Sequence, residues 1–102
     1  MESEYIYHVT TKKEWELAQS QNEYKPKGYE QDGFIHCSTE RQVAGVLERF
    51  YKGQTNLVKL KIEKAKVDRP VLFELAHDLN ELFPHIYGPL NLNSVVDVIE
   101  IV

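Results

Sequence analysis

The sequence has 102 residues, of which 42% are hydrophobic and 27% are charged, and its formal net charge at neutral pH is −4. This length predicts one domain over residues 1–102. The negative net charge disfavours nonspecific nucleic-acid binding. A single cysteine excludes an internal disulfide. With no long apolar run and no basic, apolar leader, the chain is expected to be cytoplasmic and to lack a membrane span.

The amino-terminal residues predict a strand followed by a helix. Residues 4–9 alternate along the chain and are rich in aromatic and β-branched side chains, as in a strand. Thr11 and Glu14 then form a capping-box pattern, which predicts the start of a helix that ends near residue 22. Residues 23–33 contain Pro and Gly and predict a loop.

The next part of the chain again predicts a strand followed by a helix. Residues 34–37 predict a short strand, and Thr39 with Gln42 forms a second capping-box pattern. The helix that follows has an apolar stripe with the spacing i, i+3, i+4, i+7, which predicts that this face packs on the core. The residues of the stripe are Val43, Val46, Leu47 and Phe50.

The second half of the chain predicts strands only. Residues 57–62 alternate between apolar and lysine side chains, and residues 71–75 predict another short strand. Residues 82–90 are interrupted by two prolines and a glycine, which predicts only a short extended piece. Residues 95–102 are apolar on both faces and predict a central strand. Two early helices and late strands predict an α+β fold with a small mixed or antiparallel sheet.

Both predicted strand-to-helix connections carry the pattern H-x-(S/T)-T-x-x-(E/Q), at residues 8–14 and 36–42. Each helix start exposes unpaired backbone amides and the positive end of a helix dipole, which attract anions. A histidine at the strand exit could contact a ribose or phosphate or transfer a proton. Alternatively, the hydroxyls are simple helix caps and the histidines are structural. The candidate residues are His8, Thr10, Thr11, His36, Ser38 and Thr39.

A third candidate segment is ELFPHIYGPL, residues 81–90. If this segment is extended, His85 and Tyr87 project to the same side, and its prolines and glycine would hold them in a defined shape, as ligand-binding loops often require. Alternatively, it is a tight turn whose aromatic side chains pack in the core.

The remaining candidates for chemistry are weaker. The four histidines are dispersed, with no closely spaced ligand pair, so no metal site is expected. Cys37 would share a strand face with Ile35 and point into the core, which disfavours a nucleophilic role.

The motifs YHVT, GFIHCST and LFPHIYGPLNL resemble those of small uncharacterised proteins grouped as domain of unknown function 952. The resemblance covers nearly the whole chain. That family is regarded as distantly similar to the ADP-ribosyltransferase superfamily, which implies a split, mixed sheet around an NAD-binding cleft.

YHVT, IHCST and VKLKI also resemble the RNA 2′-phosphotransferases of that superfamily, whose pattern is close to YHGT, VHLS and VVL. This resemblance implies that His8 contacts a ribose of NAD and that His36 corresponds to the histidine of VHLS. Val9 replaces the glycine of the family pattern, and neither the phosphate-binding arginines nor the transferase glutamate has a clear match. The candidates are Arg41 and Arg49 for the arginines, and Glu74 and Glu81 for the glutamate.

The leading hypothesis is that a histidine-rich cleft binds NAD or another nucleotide and supports ADP-ribosyl or phosphoryl transfer. Its catalytic candidates are His36, His85 and Glu81, and its binding candidates are His8, Thr10, Thr11, Ser38, Thr39 and Tyr87. No cofactor is expected to be required, and NAD would be a substrate. RNA is a less favoured partner. The alternatives are a non-catalytic ligand-sensing or interaction domain and a hydrolase or metal-dependent enzyme centred on the histidines.

Overall fold

The computed structural model describes residues 4–101, which form two small sheets and three α-helices. The predicted α+β class is confirmed. In chain order the elements are β1 (Tyr5–Thr11), α1 (Lys12–Gln21), α2 (Tyr29–Asp32), β2 (Ile35–His36), α3 (Val43–Phe50), β3 (Leu57–Glu63), β4 (Val71–Ala76), β5 (Glu81–Ile86) and β6 (Val95–Glu100). The four-residue α2 lies where the sequence predicted only a loop.

Both sheets have three strands and are antiparallel throughout. Their strand orders are β1-β3-β6 and β2-β5-β4. Two backbone hydrogen bonds of 2.7 Å, between Tyr7 and Ser38, join β1 to the residues that follow β2. The exits of β1 and β2 therefore lie side by side, which brings the two histidine motifs together.

Two predictions about the strands were wrong. β6 is an edge strand because it pairs with β3 alone, and its Val96 and Val98 are 41% and 38% exposed; Val102, the predicted end of this strand, lies outside the described residues. β5 is a complete six-residue strand at the centre of its sheet although it contains Pro84. The Pro84 carbonyl still accepts a hydrogen bond of 3.0 Å from the Cys37 amide, so this backbone link to the neighbouring chain is kept.

The core has two parts. The larger part packs residues of both sheets with Ala18 of α1 and Tyr24, and the smaller part lies beneath α3. Val43 of α3 is only 6% exposed, as predicted, but Phe50 at the other end of the predicted stripe is 63% exposed. Phe50 is therefore not a core residue. The smaller part consists of Tyr7, Val9, Val43 and Leu57.

The two predicted capping boxes differ in detail. The Thr39–Gln42 box is present, and the Thr39 amide donates to Gln42 Oε1 at 2.9 Å. At α1, the Thr11 hydroxyl accepts from the Glu14 amide at 3.1 Å. The Glu14 carboxylate, however, accepts from the Thr10 hydroxyl at 2.9 Å, so only half of the predicted box forms there.

Gln42 anchors the start of α3 to β5. Its side-chain amide, in a residue only 5% exposed, donates to Glu81 Oε1 at 2.9 Å and to the Leu82 carbonyl at 2.8 Å. We expect Gln42→Ala to lower the free energy of unfolding by about 2 kcal/mol, because several part-buried hydrogen bonds are lost. Arg41→Ala is the matched control: its guanidinium also contacts Glu81 but is 75% exposed, so the change should stay within about 0.5 kcal/mol. Urea unfolding of both variants measures this difference, and equal losses would contradict it.

Candidate functional site

The three histidines of the sequence motifs line one cleft of about 650 Å³. His8 comes from β1, His36 from β2 and His85 from β5. The cleft has a volume typical of small-molecule sites, which commonly measure roughly 300–1,000 Å³. Thr10, Thr11 and Ser38 also line it. The predicted convergence of the histidine motifs is therefore present in the fold.

His8 is buried and fully hydrogen-bonded within the protein. Its Nδ1 lies 2.6 Å from the His36 carbonyl oxygen, which can only accept, so Nδ1 carries the proton and donates. Its Nε2 lies 2.7 Å from the Tyr24 hydroxyl and accepts from it. Burial lowers the pKa of His8 to about 4, although the bond to the His36 carbonyl opposes this shift. His8 is therefore neutral at physiological pH and fixes the backbone that carries His36.

His36 extends into solvent at the mouth of the cleft, with its side chain 62% exposed. Its Nε2 contacts the Asp32 carboxylate at 3.1 Å, and its Nδ1 has no hydrogen-bond partner among residues 4–101. Asp32 is the last residue of α2, and Gly33 ends that helix with a φ of 80°, a conformation that side chains with a Cβ disfavour. This turn returns the chain at once to β2 and brings Asp32 beside His36.

His85 belongs to a second histidine–carboxylate pair. Its Nδ1 lies 2.7 Å from Glu74 Oε1, and the Tyr87 hydroxyl donates to the same oxygen at 2.5 Å. The hydrogen bond from Tyr87, followed by that from His85, lowers the pKa of Glu74 and keeps it ionised. Nδ1 of His85 is therefore the donor, and Nε2 has no partner in the described part of the chain. Nε2 is therefore the nitrogen of His85 that remains for contact with a bound molecule.

Phe34 contacts the histidines of both pairs. Its ring stacks on that of His85 with centroids 4.1 Å apart and an interplanar angle of 20°. The rings of His36 and His85 meet edge to face, with centroids 5.2 Å apart. Each imidazole is thus held by a carboxylate on one nitrogen and by aromatic contacts on its ring. This arrangement fixes two titratable rings at one end of the cleft.

Three predicted site residues do not line the cleft: Thr39, Tyr87 and Glu81. Thr39 caps the helix, and the hydroxyl of Tyr87 is directed to Glu74. Glu81 accepts hydrogen bonds from Gln42 and Arg41, and the bond from Gln42 is the largest cause of its lowered pKa. Of the two glutamates considered from the sequence, Glu74 is the one beside a cleft histidine.

Cys37 is buried, as predicted, with 3% of its surface exposed. Burial strongly raises the pKa of its thiol, so it stays protonated at neutral pH and is a poor nucleophile. Within residues 4–101, no three His, Cys, Asp or Glu side chains are grouped so that they could hold a metal ion. No described helix is long and apolar enough to cross a membrane.

Sequence reasoning missed Tyr24, Asp32 and Phe34 as parts of the site. Tyr24 and Asp32 lie in the stretch predicted as a loop, and their partners are distant or depend on the short α2. Phe34 is the first residue of the predicted short strand, and its aromatic ring two residues before His36 was a usable signal, since residues i and i+2 of a strand share a face.

A histidine-lined cleft between two small antiparallel sheets thus defines an α+β domain with a candidate small-molecule site. The chain belongs to the family described as "Protein of unknown function (DUF952)", whose model matches residues 9–98. The crystal structure of protein CC0527 from Caulobacter crescentus is similar: it has a TM-score of 0.84 and 29% sequence identity, with 92% of this chain and 82% of that chain covered. The solution NMR structure of CC0527 has a TM-score of 0.82 and 27% identity, over 96% and 84% of the two chains. No curated protein matches the chain.

Proposed function

We propose that the cleft binds a nucleotide, with NAD as the leading candidate, and that during ADP-ribosyl or phosphoryl transfer His85 accepts a proton while His36 contacts the ribose or phosphate. The observation that carries the proposal is the contact between two imidazoles whose ring centroids are 5.2 Å apart; both rings line the cleft, and each bonds a carboxylate through one nitrogen while the other nitrogen has no partner among residues 4–101. Enzymes that move protons near neutral pH commonly use such rings. The resemblance of the YHVT and IHCST motifs to those of RNA 2′-phosphotransferases supports the choice of an ADP-ribosyltransferase-like reaction.

In this proposal His85 is the base. During ADP-ribosyl transfer the bond between the anomeric carbon and nicotinamide breaks, nicotinamide leaves with its electron pair, and the acceptor forms a new bond to that carbon and loses a proton. His85 Nε2 accepts that proton, and Glu74 stabilises the resulting imidazolium through Nδ1. Glu74 therefore takes the role for which the sequence suggested Glu81. His36 contacts the ribose or phosphate through Nδ1, and His8 and Tyr24 act from beneath it by fixing its backbone carbonyl.

The second candidate is a ligand-sensing domain that binds without chemistry. The charge of the cleft favours this alternative. Among the described residues that line it, Lys27 is the only lysine or arginine, whereas Glu14, Asp32 and Asp78 are acidic. A single lysine gives little stabilisation to the charge that develops on a transferring phosphoryl group.

Incubation with NAD, followed by chromatography of released nicotinamide, tests the proposal and separates it from the second candidate. We expect His85→Gln to lower product formation by a factor of about 100 or more, the usual contribution of a general base. Glu74→Gln should lower it in the same direction. His77→Gln is the matched control, because His77 is exposed and does not line the cleft. Binding of NAD without product would favour the sensing domain, and absence of binding would contradict NAD as the ligand of the cleft.

A further inference from the structure

The cleft continues beyond the histidines into an apolar half. On the β4–β5 hairpin, Glu74 lies opposite Phe83 and Ala76 lies opposite Glu81. Phe83 is two residues before His85, so both side chains are on the same face of β5, about 7 Å apart along the strand. α3 contributes two other apolar side chains, the residue that follows α3 contributes a tyrosine, and the turn between β4 and β5 contributes a leucine. The residues of this apolar half are Val46, Phe50, Tyr51, Ala76, Leu79 and Phe83.

Phe50 is the most exposed large hydrophobic residue of this half. It is 63% exposed, whereas Val43 at the start of the same helix is 6% exposed. A single exposed apolar side chain is ordinary in a folded protein. Phe50, however, lines a concave surface together with five other apolar or aromatic residues. An aromatic ring at the edge of an apolar recess can stack on a planar ligand group, since such stacking contributes at sites that bind unpaired bases.

Asp78 provides a polar group in the same cleft. It lies in the turn between β4 and β5, lines the cleft, and makes no hydrogen bond or ion pair with another residue in the range 4–101. An ionised carboxylate can only accept hydrogen bonds. It would therefore favour a ligand ring that presents an amino group and disfavour one that presents a carbonyl oxygen at the same position.

We infer that this apolar half is the base subsite of the cleft: Phe50 stacks on a planar, uncharged heteroaromatic ring, and Asp78 accepts a hydrogen bond from an amino group on that ring. The inference rests on the proposed nucleotide function and deepens it, since it makes an amino-substituted base such as adenine the preferred class. It also assigns contact with the base to Phe50 and not to Tyr87, which the sequence suggested as a binding residue. The hydroxyl of Tyr87 is directed to Glu74, its ring lies 5.3 Å from that of Phe34, and it does not line the cleft.

Calorimetric titration with AMP and with ribose 5-phosphate, which lacks the base, tests the stacking role. Phe50→Ala should weaken AMP binding by about tenfold, in line with the loss of one base–aromatic stack, and should leave binding of ribose 5-phosphate unchanged. Leu17→Ala is the matched control, because Leu17 is 56% exposed and lies outside this cleft. It should leave both affinities unchanged. Circular dichroism of each variant checks that the fold is retained.

Titration with IMP, which carries a carbonyl where AMP carries its amino group, tests the second contact. The wild type should bind AMP more tightly than IMP, and Asp78→Asn should reduce this preference, because the amide can also donate. If Phe50→Ala leaves AMP binding intact while His36→Ala weakens it, the base subsite is wrong and the nucleotide proposal remains. If wild-type protein binds neither AMP nor NAD, the nucleotide proposal fails, and the base subsite fails with it.

Discussion

The free energy of unfolding is expected to fall by up to about 3 kcal/mol as the pH is lowered from 6.5 to 4, because His8 binds a proton in the unfolded chain over this range but stays neutral in the fold. Its pKa in the fold is about 4, lowered by burial, whereas an unperturbed histidine has a pKa of about 6.5. Between these values the unfolded chain binds more protons than the folded one, so stability rises with pH through this window. The contribution of neutral His8 is fully present above about pH 6.5.

Urea unfolding of the wild type and of His8→Gln at several pH values measures this effect. Glutamine keeps one donor and one acceptor but does not titrate, so the difference between the two proteins should shrink as the pH falls through the window. Tyr24→Phe is the control: it removes the hydroxyl that donates to His8 Nε2 at 2.7 Å and leaves the titrating ring in place. Tyr24→Phe should be less stable at every pH but keep the pH dependence. An identical pH dependence in His8→Gln and wild type would show that His8 is not the group responsible.

The parts of the site that the sequence predicted correctly depend on local patterns. The strand exits at His8 and His36 and the capping box at Thr39 are determined by residues close together in the chain. Hydrophobic alternation identified β1 and β3 for the same reason. The two histidine motifs were expected to lie side by side only because their sequences match. In the structure this arrangement arises from the two backbone hydrogen bonds between Tyr7 and Ser38, residues far apart in sequence.

The errors arise where strand pairing decides the outcome. The apolar composition of residues 95–102 predicted a central strand. β6 nevertheless lies at the edge of its sheet, because only β3 pairs with it. Glu74 and Glu81 are equivalent in sequence terms. The β4–β5 register separates them: Leu72 lies opposite His85, so Glu74 is the diagonal neighbour of His85 on the same face. Glu81 instead lies opposite Ala76. The β4 residue that pairs with Ile86, the neighbour of Tyr87, is five residues away along the strand. No pattern of neighbouring residues in the sequence predicts which residues of β4 and β5 lie opposite each other.

The same reasoning explains the buried role of His8. The motif resemblance suggested a contact between His8 and a ribose, but the residue that occupies its Nε2 is Tyr24, from a loop whose path a single sequence does not specify. Tyr24 is packed in the core with 1% of its surface exposed, and its hydroxyl is directed to His8 Nε2. A ligand that reached Nε2 of His8 would have to displace a buried hydroxyl, which favours His36 and His85 as the groups that meet it.

Binding of NAD at about 100 times its Kd should raise the free energy of unfolding of the wild type by about 2.7 kcal/mol, because a ligand that binds only the folded state stabilises it by mass action. For a domain of this length, 1 kcal/mol corresponds to roughly 4–8 °C in Tm, so the expected shift exceeds about 10 °C. His36→Ala should abolish most of this shift. It should change the stability of the unliganded protein by less than about 0.5 kcal/mol, because the His36 side chain is 62% exposed.

Thr39→Ala should show the opposite behaviour and is the matched comparison three residues further along the chain. Thr39 belongs to the capping box and does not line the cleft. Its loss should lower the free energy of unfolding by about 1 kcal/mol, while the additional stabilisation by NAD persists. Thermal melts of the three proteins, with and without NAD, separate the two roles. If His36→Ala lowers the stability of the unliganded protein but keeps the NAD-dependent shift, His36 is a structural residue at a strand-to-helix connection, and its contact with Asp32 then serves the fold alone.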